Sequence, residues 1–177
     1  FAALHALGSE YRFKTGFYTD GFINKATRTL KGNLILECTG NPTLAATDVT
    51  KLIRQLTKTG VVRVSGDLIV TGPFTYGNYF TTEKAISALR SRLGALGVRI
   101  TGSVKSGSVR GTQQASHESQ SLRDILFLQN ARSVNLTAER LGEALGGPRA
   151  VAQFLVDYVG LPPVQVTITR TSGLDYN

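Results

Sequence analysis

Val61-Val62-Arg63-Val64-Ser65-Gly66-Asp67-Leu68-Ile69-Val70 places two short aliphatic runs on either side of Ser-Gly-Asp. Runs of this length, rich in Val and Ile and broken by Gly and Asp, read as two strands joined by a turn. Just upstream, Val49, Leu52, Ile53 and Leu56 recur at the spacing of one helical face, and Gly60 follows the last turn. Thr47 or Asp48 is placed to cap that helix, and Lys51, Arg54 and Lys58 fall on its other, solvated face. Helix followed by strands makes the chain α/β.

The same alternation extends in both directions. Toward the N-terminus, Leu34-Ile35-Leu36 and Tyr11-Arg12-Phe13-Lys14 read as strands, with turns at Asp20-Gly21 and Lys31-Gly32-Asn33. Phe1 to Leu7 reads as the end of a helix stopped at Gly8. Toward the C-terminus, Ile86, Leu89, Leu93 and Leu96 predict a helix after Thr81-Thr82, and Val98-Arg99-Ile100 a strand. Residues 102 to 121 are rich in Ser, Gly and Gln and read as a long surface connection. Ser121-Leu122-Arg123-Asp124 has capping-box spacing and opens a helix that 130 to 135 interrupt. Leu136 to Leu145 forms another, closed by Gly146-Gly147. Val151, Phe154, Leu155, Tyr158 and Val159 make the cleanest amphipathic pattern, ended by Gly160 and Pro162-Pro163. Val164, Val166 and Ile168 alternate as a last strand. No internal repeat is evident.

Composition narrows the function classes. The 177 residues, 41% hydrophobic and 18% charged, suffice for a buried core, and no apolar run approaches a membrane span. The chain begins at Phe1 without a basic-then-apolar leader and contains no Met, so it is expected to be an internal piece of a longer protein. The single cysteine, Cys38, excludes an internal disulfide and a multi-cysteine zinc site, and its apolar setting marks a buried structural thiol. His5 and His117 lie far apart without a third partner, so neither a metal site nor Ser-His chemistry is expected, and no cofactor is implied. A net charge of +8 favours polyanionic surroundings: nucleic acid, an anionic envelope polymer or a membrane surface. The basic residues are dispersed without interleaved aromatics, which ranks nucleic acid last.

Five segments, in order, carry a family resemblance. They are Gly40-Asn41-Pro42-Thr43-Leu44; Gly60-Val61-Val62-Arg63-Val64-Ser65-Gly66-Asp67-Leu68, with Phe74 soon after; Ser121-Leu122-Arg123-Asp124-Ile125-Leu126; Ser133-Val134-Asn135-Leu136 with Ala138-Glu139; and Ser172-Gly173-Leu174 with Asn177. Together the chain resembles the class C low-molecular-mass penicillin-binding proteins, serine D-Ala-D-Ala carboxypeptidases and endopeptidases of the bacterial envelope. Two departures stand out. The chain passes almost directly from Phe74 to the helix at Thr82, where relatives often carry a further inserted domain. Thr71 stands where an aspartate commonly lies near the pocket for the peptide's diamino side chain.

The resemblance implies chemistry built on Ser-x-x-Lys, Ser-x-Asn and Lys-Thr-Gly. Only Ser-x-Asn is present in context: Ser133, in the break between two predicted helices, would relay protons as a catalytic residue, and Asn135 would orient the substrate carbonyl. No Ser-x-x-Lys occurs in the chain; it is expected upstream, with the nucleophile. Lys14-Thr15-Gly16 and Lys58-Thr59-Gly60 match the third motif by coincidence, since both precede Ser-x-Asn. Glu139 receives no chemical role, and Tyr76, Tyr79 and Phe80 are expected to pack a domain junction.

The expected architecture is thus α/β, a partial penicillin-binding/β-lactamase-like transpeptidase domain formed by residues 1–10 and 78–177, with a smaller inserted α/β domain at 11–77. The expected function is a serine D-Ala-D-Ala carboxypeptidase/endopeptidase acting on peptidoglycan stem peptides through an acyl-enzyme. Its partners would be those peptides and β-lactams, its location periplasmic or extracytoplasmic. The alternatives are a non-catalytic peptidoglycan-binding envelope module and, further off, a basic nucleic-acid-binding domain.

Overall fold

The computed structural model describes residues 1–108 and 110–173. In chain order the elements are Ala2–Leu7 (α1), Arg12–Thr19 (β1), Phe22–Asn24 (β2), Thr29–Lys31 (β3), Leu34–Cys38 (β4), Ala46–Lys58 (α2), Arg63–Val64 (β5), Leu68–Thr71 (β6), Thr82–Ala95 (α3), Arg99–Ile100 (β7), Val104–Ser106 (β8), Thr112–Ser121 (β9), Leu122–Arg132 (α4), Asn135–Ala144 (α5) and Pro148–Asp157 (α6). A 3-10 turn at Pro163–Gln165 follows. The chain divides into two compact units. One comprises Phe1–Phe13, Gly40–Thr43 and the described residues from 119 onward; the other comprises Lys14–Thr39 and Leu44–Glu118.

The second unit contains a five-stranded sheet of order β8-β6-β4-β1-β9 and a four-stranded sheet of order β2-β3-β5-β7. β4, β6 and β8 run parallel, and so do β3, β5 and β7, while β1 and β2 pair antiparallel with β4 and β3. The two sheets share three rungs. Leu30, Val64 and Ile100 stand in register on the smaller sheet, and Leu34, Leu68 and Val104 on the larger. Between them the chain turns at Gly32-Asn33, Gly66-Asp67 and Gly102-Ser103.

These corners interlock as a hydrogen-bonded ladder. The Gly66 amide donates to the Gly32 carbonyl (3.0 Å) and the Gly102 amide to the Gly66 carbonyl (3.1 Å). Asn33 Oδ1 accepts the Asp67 amide, and Asp67 Oδ1 the Ser103 amide, each at 2.8 Å. At the first rung, the Asp20 carboxylate accepts both the Asn33 amide and its side-chain Nδ2, each at 2.7 Å. Glycine is required because the rungs touch: a Cβ on Gly66 would lie 2.5 Å from both Gly32 O and Asn33 Oδ1. The chain therefore does hold an internal repeat. The sequence hides it because its corners keep only the glycine constant, while Asn, Asp and Ser alternate beside it.

Leu34, Leu36, Leu68 and Val70 from the larger sheet pack with Val49, Leu52, Ile53 and Leu56 of α2 and Ala85, Leu89 and Leu93 of α3. These residues are at most 5% exposed, and each fully buried Leu or Val side chain stabilises by about 1.5–3 kcal/mol. Here the boundary expected at residue 77 is corrected: α3 is part of this core, so the unit continues to residue 118. Tyr76 is likewise a core residue of this unit, 1% exposed and in contact with Phe74 and Tyr79, rather than junction packing. Residues 102 to 121 are not one long surface connection but contain β8 and β9; β9 is polar, and only Ala115, Ser119 and Ser121 along it are buried. α2 begins one turn earlier than Thr47 or Asp48 would cap it. Asp48 instead reaches back to accept the amide of Ala45 at 3.3 Å.

The first unit is helical. Ala3, Phe13, Leu122, Ile125 and Leu141 form its core. The ends of β1 and β9 feed it: the Phe13 amide donates to Ser119 Oγ and the Leu122 amide to the Tyr11 carbonyl. Ser121 caps α4 as its sequence predicts, accepting the Asp124 amide at 3.3 Å. The amphipathic segment at 151–159 does form α6, but none of its residues is fully buried; Phe154 and Tyr158 instead pack on the His5 ring, with centroids 5.4 and 4.0 Å away. The strand expected at Val164 to Ile168 is absent, because Pro162-Pro163 starts a 3-10 turn and no strand lies beyond β9 among the described residues. No helix among them is long and apolar enough to cross a membrane.

Candidate active site

The break between α4 and α5 is a single tight corner. The Ser133 and Val134 amides close α4 by donating to the carbonyls of Asn130 (3.4 Å) and Gln129 (3.1 Å). The Val134 carbonyl then accepts the amides of Thr137 (3.1 Å) and Ala138 (3.3 Å) and opens α5. A helix that stops and restarts within two residues must turn the backbone sharply between them. Ser133 does so with φ 50° and ψ 51°, the left-handed region that glycine usually occupies. A residue with a Cβ pays about 1–2 kcal/mol to sit there, and strained positions of this kind concentrate at functional sites. Glycine would relieve the strain but would carry no hydroxyl.

Ser133 and Asn135 are both exposed, on either side of Val134. Neither side chain has a hydrogen-bond partner among the described residues, so both remain available to an incoming group. Leu122, Ile125 and Leu141, buried on the two helices, hold the corner from beneath. A cavity of about 600 Å³ opens beside α1, α4 and α5, lined by Ala2, Leu126, Asn130, Leu141 and Ser172 among others; Ser133 and Asn135 are not in its lining.

Glu139, one turn into α5, holds the chain's last described segment. Its carboxylate accepts Thr171 Oγ1 (3.0 Å), the Thr171 amide (3.2 Å) and a short hydrogen bond from Ser172 Oγ. Burial opposes ionisation, but the hydrogen bonds from Ser172 and Thr171 outweigh it and hold the carboxyl below its ordinary range. Glu139 has no expected role from sequence, since its spacing from Ser172, 33 residues away, carries no local signal. Leu174 and Asn177 lie outside the described residues.

Other candidates take structural places. Thr15 is buried in β1, and Lys14 pairs with Glu118 at 3.6 Å. Lys58 ends α2, with Gly60 at φ 90° just after. Burial pushes the Cys38 thiol far up, with the charge of Glu37 adding to it. Among the described residues no group of three or more His, Cys, Asp or Glu side chains could hold a metal ion.

Comparison with known proteins finds similar sequences and folds. Residues 1–79 match the D-Ala-D-Ala carboxypeptidase 3 (S13) family. The D-alanyl-D-alanine carboxypeptidase DacB of Haemophilus influenzae is 35% identical over 69 residues, which cover 39% of this chain and 14% of that protein. Penicillin-binding protein 4 from Haemophilus influenzae, solved with a β-lactam, superposes with a TM-score of 0.76 at 19% identity, over 98% of this chain and 62% of that one. A predatory endopeptidase from Bdellovibrio bacteriovorus gives 0.65 at 19% identity, over 99% and 52%. The chain thus spans less than two thirds of each of these proteins. In sequence over its first 79 residues the chain is similar to the D-Ala-D-Ala carboxypeptidase 3 (S13) family, and along nearly its whole length it shares the fold of these penicillin-binding and endopeptidase structures.

Proposed function

We propose that the protein to which this chain belongs is a serine D-Ala-D-Ala carboxypeptidase/endopeptidase that cleaves peptidoglycan stem peptides in the cell envelope through an acyl-enzyme. The observation that carries this reading is the family match over residues 1–79, joined to a left-handed, exposed Ser133 two residues before Asn135. In the reaction a serine nucleophile attacks the D-Ala-D-Ala carbonyl, the terminal D-Ala leaves, and water resolves the ester. The 177 residues contain no Ser-x-x-Lys to supply that nucleophile, so the reading takes it from elsewhere in the intact protein. Ser133 Oγ is suited to pass a proton toward the leaving amine, since it makes no hydrogen bond that would have to break first. The Asn135 amide offers a donor to the peptide carbonyl and an acceptor to its N–H. β-Lactams would acylate the same serine, and the enzyme would work outside the cytoplasm, where its substrate lies.

Labelled penicillin tests the reading. The intact protein is expected to form a covalent adduct visible by mass spectrometry, and the 177-residue chain alone to form none. An intact protein that stays unlabelled while still binding peptidoglycan would replace the enzyme with a non-catalytic binding module.

A further inference from the structure

The outer face of the four-stranded sheet has no part in the reaction proposed above. Leu30, Val64 and Ile100 point into the core, so their neighbours in β3, β5 and β7 point outward. Those neighbours include Lys31, Arg63 and Arg99, all exposed. Arg63 and Arg99, 36 residues apart in sequence, are brought into direct register on adjacent parallel strands. Strands lie about 4.8 Å apart, and like charges placed directly opposite destabilise a sheet. No carboxylate relieves them: β2, β3, β5, β7 and the turn at 25–28 contain none, whereas the turn adds Lys25 and Arg28. Lys31, Arg63 and Arg99 have no ion-pair partner among the described residues. Beside Lys31, in register on β2, stands Phe22, 66% exposed. Asn24, Thr27, Thr29, Lys31, Arg63 and Ser65 line an open depression of about 470 Å³ on this face.

We propose that this face binds a linear carboxylated glycan. One residue from each strand, Phe22, Lys31, Arg63 and Arg99, forms a stripe that crosses the strands over about 15 Å, the length of a short oligosaccharide. The two guanidinium groups present paired donors that match carboxylates. The flat Phe22 ring can stack on a sugar, and the amide NH₂ of Asn24, whose oxygen is taken by the Thr27 amide, is left to a hydroxyl. Charge complementarity selects an anion, and the open, gently recessed face selects a polymer over a small molecule. A single exposed aromatic offers too little to a membrane and too little stacking to a nucleic acid. The proposal does not depend on the acyl-transfer reading.

The test uses the whole chain and fluorescently labelled galacturonate decamers, with dextran oligomers of equal length as the uncharged control, followed by anisotropy. Galacturonate is expected to bind and dextran not. Arg63→Gln/Arg99→Gln should weaken binding about tenfold, and Phe22→Ser should weaken it severalfold. Arg54→Gln/Lys58→Gln, which removes the same charge from the exposed face of α2, should stay within about twofold of wild type. Because it relieves repulsion, the Arg63/Arg99 variant should melt no lower than wild type; if it fails to fold, Arg63→Lys/Arg99→Lys keeps the charge and should still lose a few-fold through the lost paired donors. Equal losses in the α2 variant would reduce the effect to net charge and overturn the proposal. So would tighter binding, through the same arginines, to phosphatidylglycerol vesicles or to single-stranded poly(dT).

Discussion

Gly66→Ala probes the ladder that joins the two sheets. The added methyl carbon would sit 2.5 Å from Gly32 O, 2.5 Å from Asn33 Oδ1 and 2.7 Å from Gly32 C. Two of these atoms are backbone and the third is pinned, since Asn33 Oδ1 holds the Asp67 amide at 2.8 Å while Asn33 Nδ2 is tied to Asp20. Ordinary contact needs 3.4 Å or more, so neighbouring rungs must part by nearly an ångström. Parting them stretches the Gly66-to-Gly32 and Asp67-to-Asn33 hydrogen bonds, each worth about 1 kcal/mol net. Overpacking adds about 1–3 kcal/mol, so the total is about 3–5 kcal/mol. A loss of about 3 kcal/mol in a domain of about 100 residues lowers Tm by about 12 °C or more. Gly94→Ala is the matched control: it lies in α3 with nothing within 4 Å of its Cβ position, and should gain about 0.5–1 kcal/mol. Thermal melts followed by circular dichroism decide the matter. If Gly66→Ala melts within about 2 °C of wild type, the rungs are not in contact as described and the ladder argument fails.

At the candidate site, Ser133→Ala and Asn135→Ala in the intact protein should each slow acylation by penicillin about 10²–10⁴-fold while shifting stability by about 1 kcal/mol or less. Ser133→Gly should slow it equally but raise stability by up to about 1 kcal/mol by relieving the left-handed strain, a split that urea melts beside acylation rates would reveal. Glu139, whose carboxyl is held below its ordinary range, gives stability that is present above the unfolded-state value and lost as pH falls through the lower folded value. Hydrogen-exchange protection at the Thr171 amide should therefore be lost only once the pH falls below the ordinary glutamate range, and should be low at every pH in Glu139→Gln. Cys38, buried and pushed far up, should resist a thiol reagent at pH 8 until denaturant unfolds the chain; rapid labelling of the native protein would contradict its burial.

The helices were legible because a repeating apolar face needs only local sequence. Val49, Leu52, Ile53 and Leu56 are all buried in α2 as their spacing predicts. The corner at Ser133 was legible too, since a capped helix stops and another starts within a few residues. What escaped was set by distant partners. β9 forms from a polar run because β1 supplies its hydrogen bonds, and the edge of a sheet asks for few apolar side chains. The final strand expected at Val164 had the right alternation but no strand among the described residues pairs with it, and alternation alone does not make a sheet. The part of Glu139 depends on residues 171 and 172 arriving from elsewhere. Residues 11–77 looked self-contained because the chain there has its own turns, whereas membership of a core is decided by which apolar faces meet.

The rungs also carry an implication for how such a unit could change in length. Each corner hands one glycine carbonyl and one Asx oxygen to the next, so an interior rung meets the same interface on both sides. A further copy placed between existing ones would find its partners ready-made. The ends are different: Asp20 closes one by filling the acceptor role with a turn from an antiparallel strand. At the other, Ser103 has only a hydroxyl where Asn33 and Asp67 carry their bridging oxygen, and Lys105 folds back on Asp67 at 2.6 Å. Copy number is thus governed by the terminators, and the size of this unit is a property of residues 20 and 103 more than of anything in its middle.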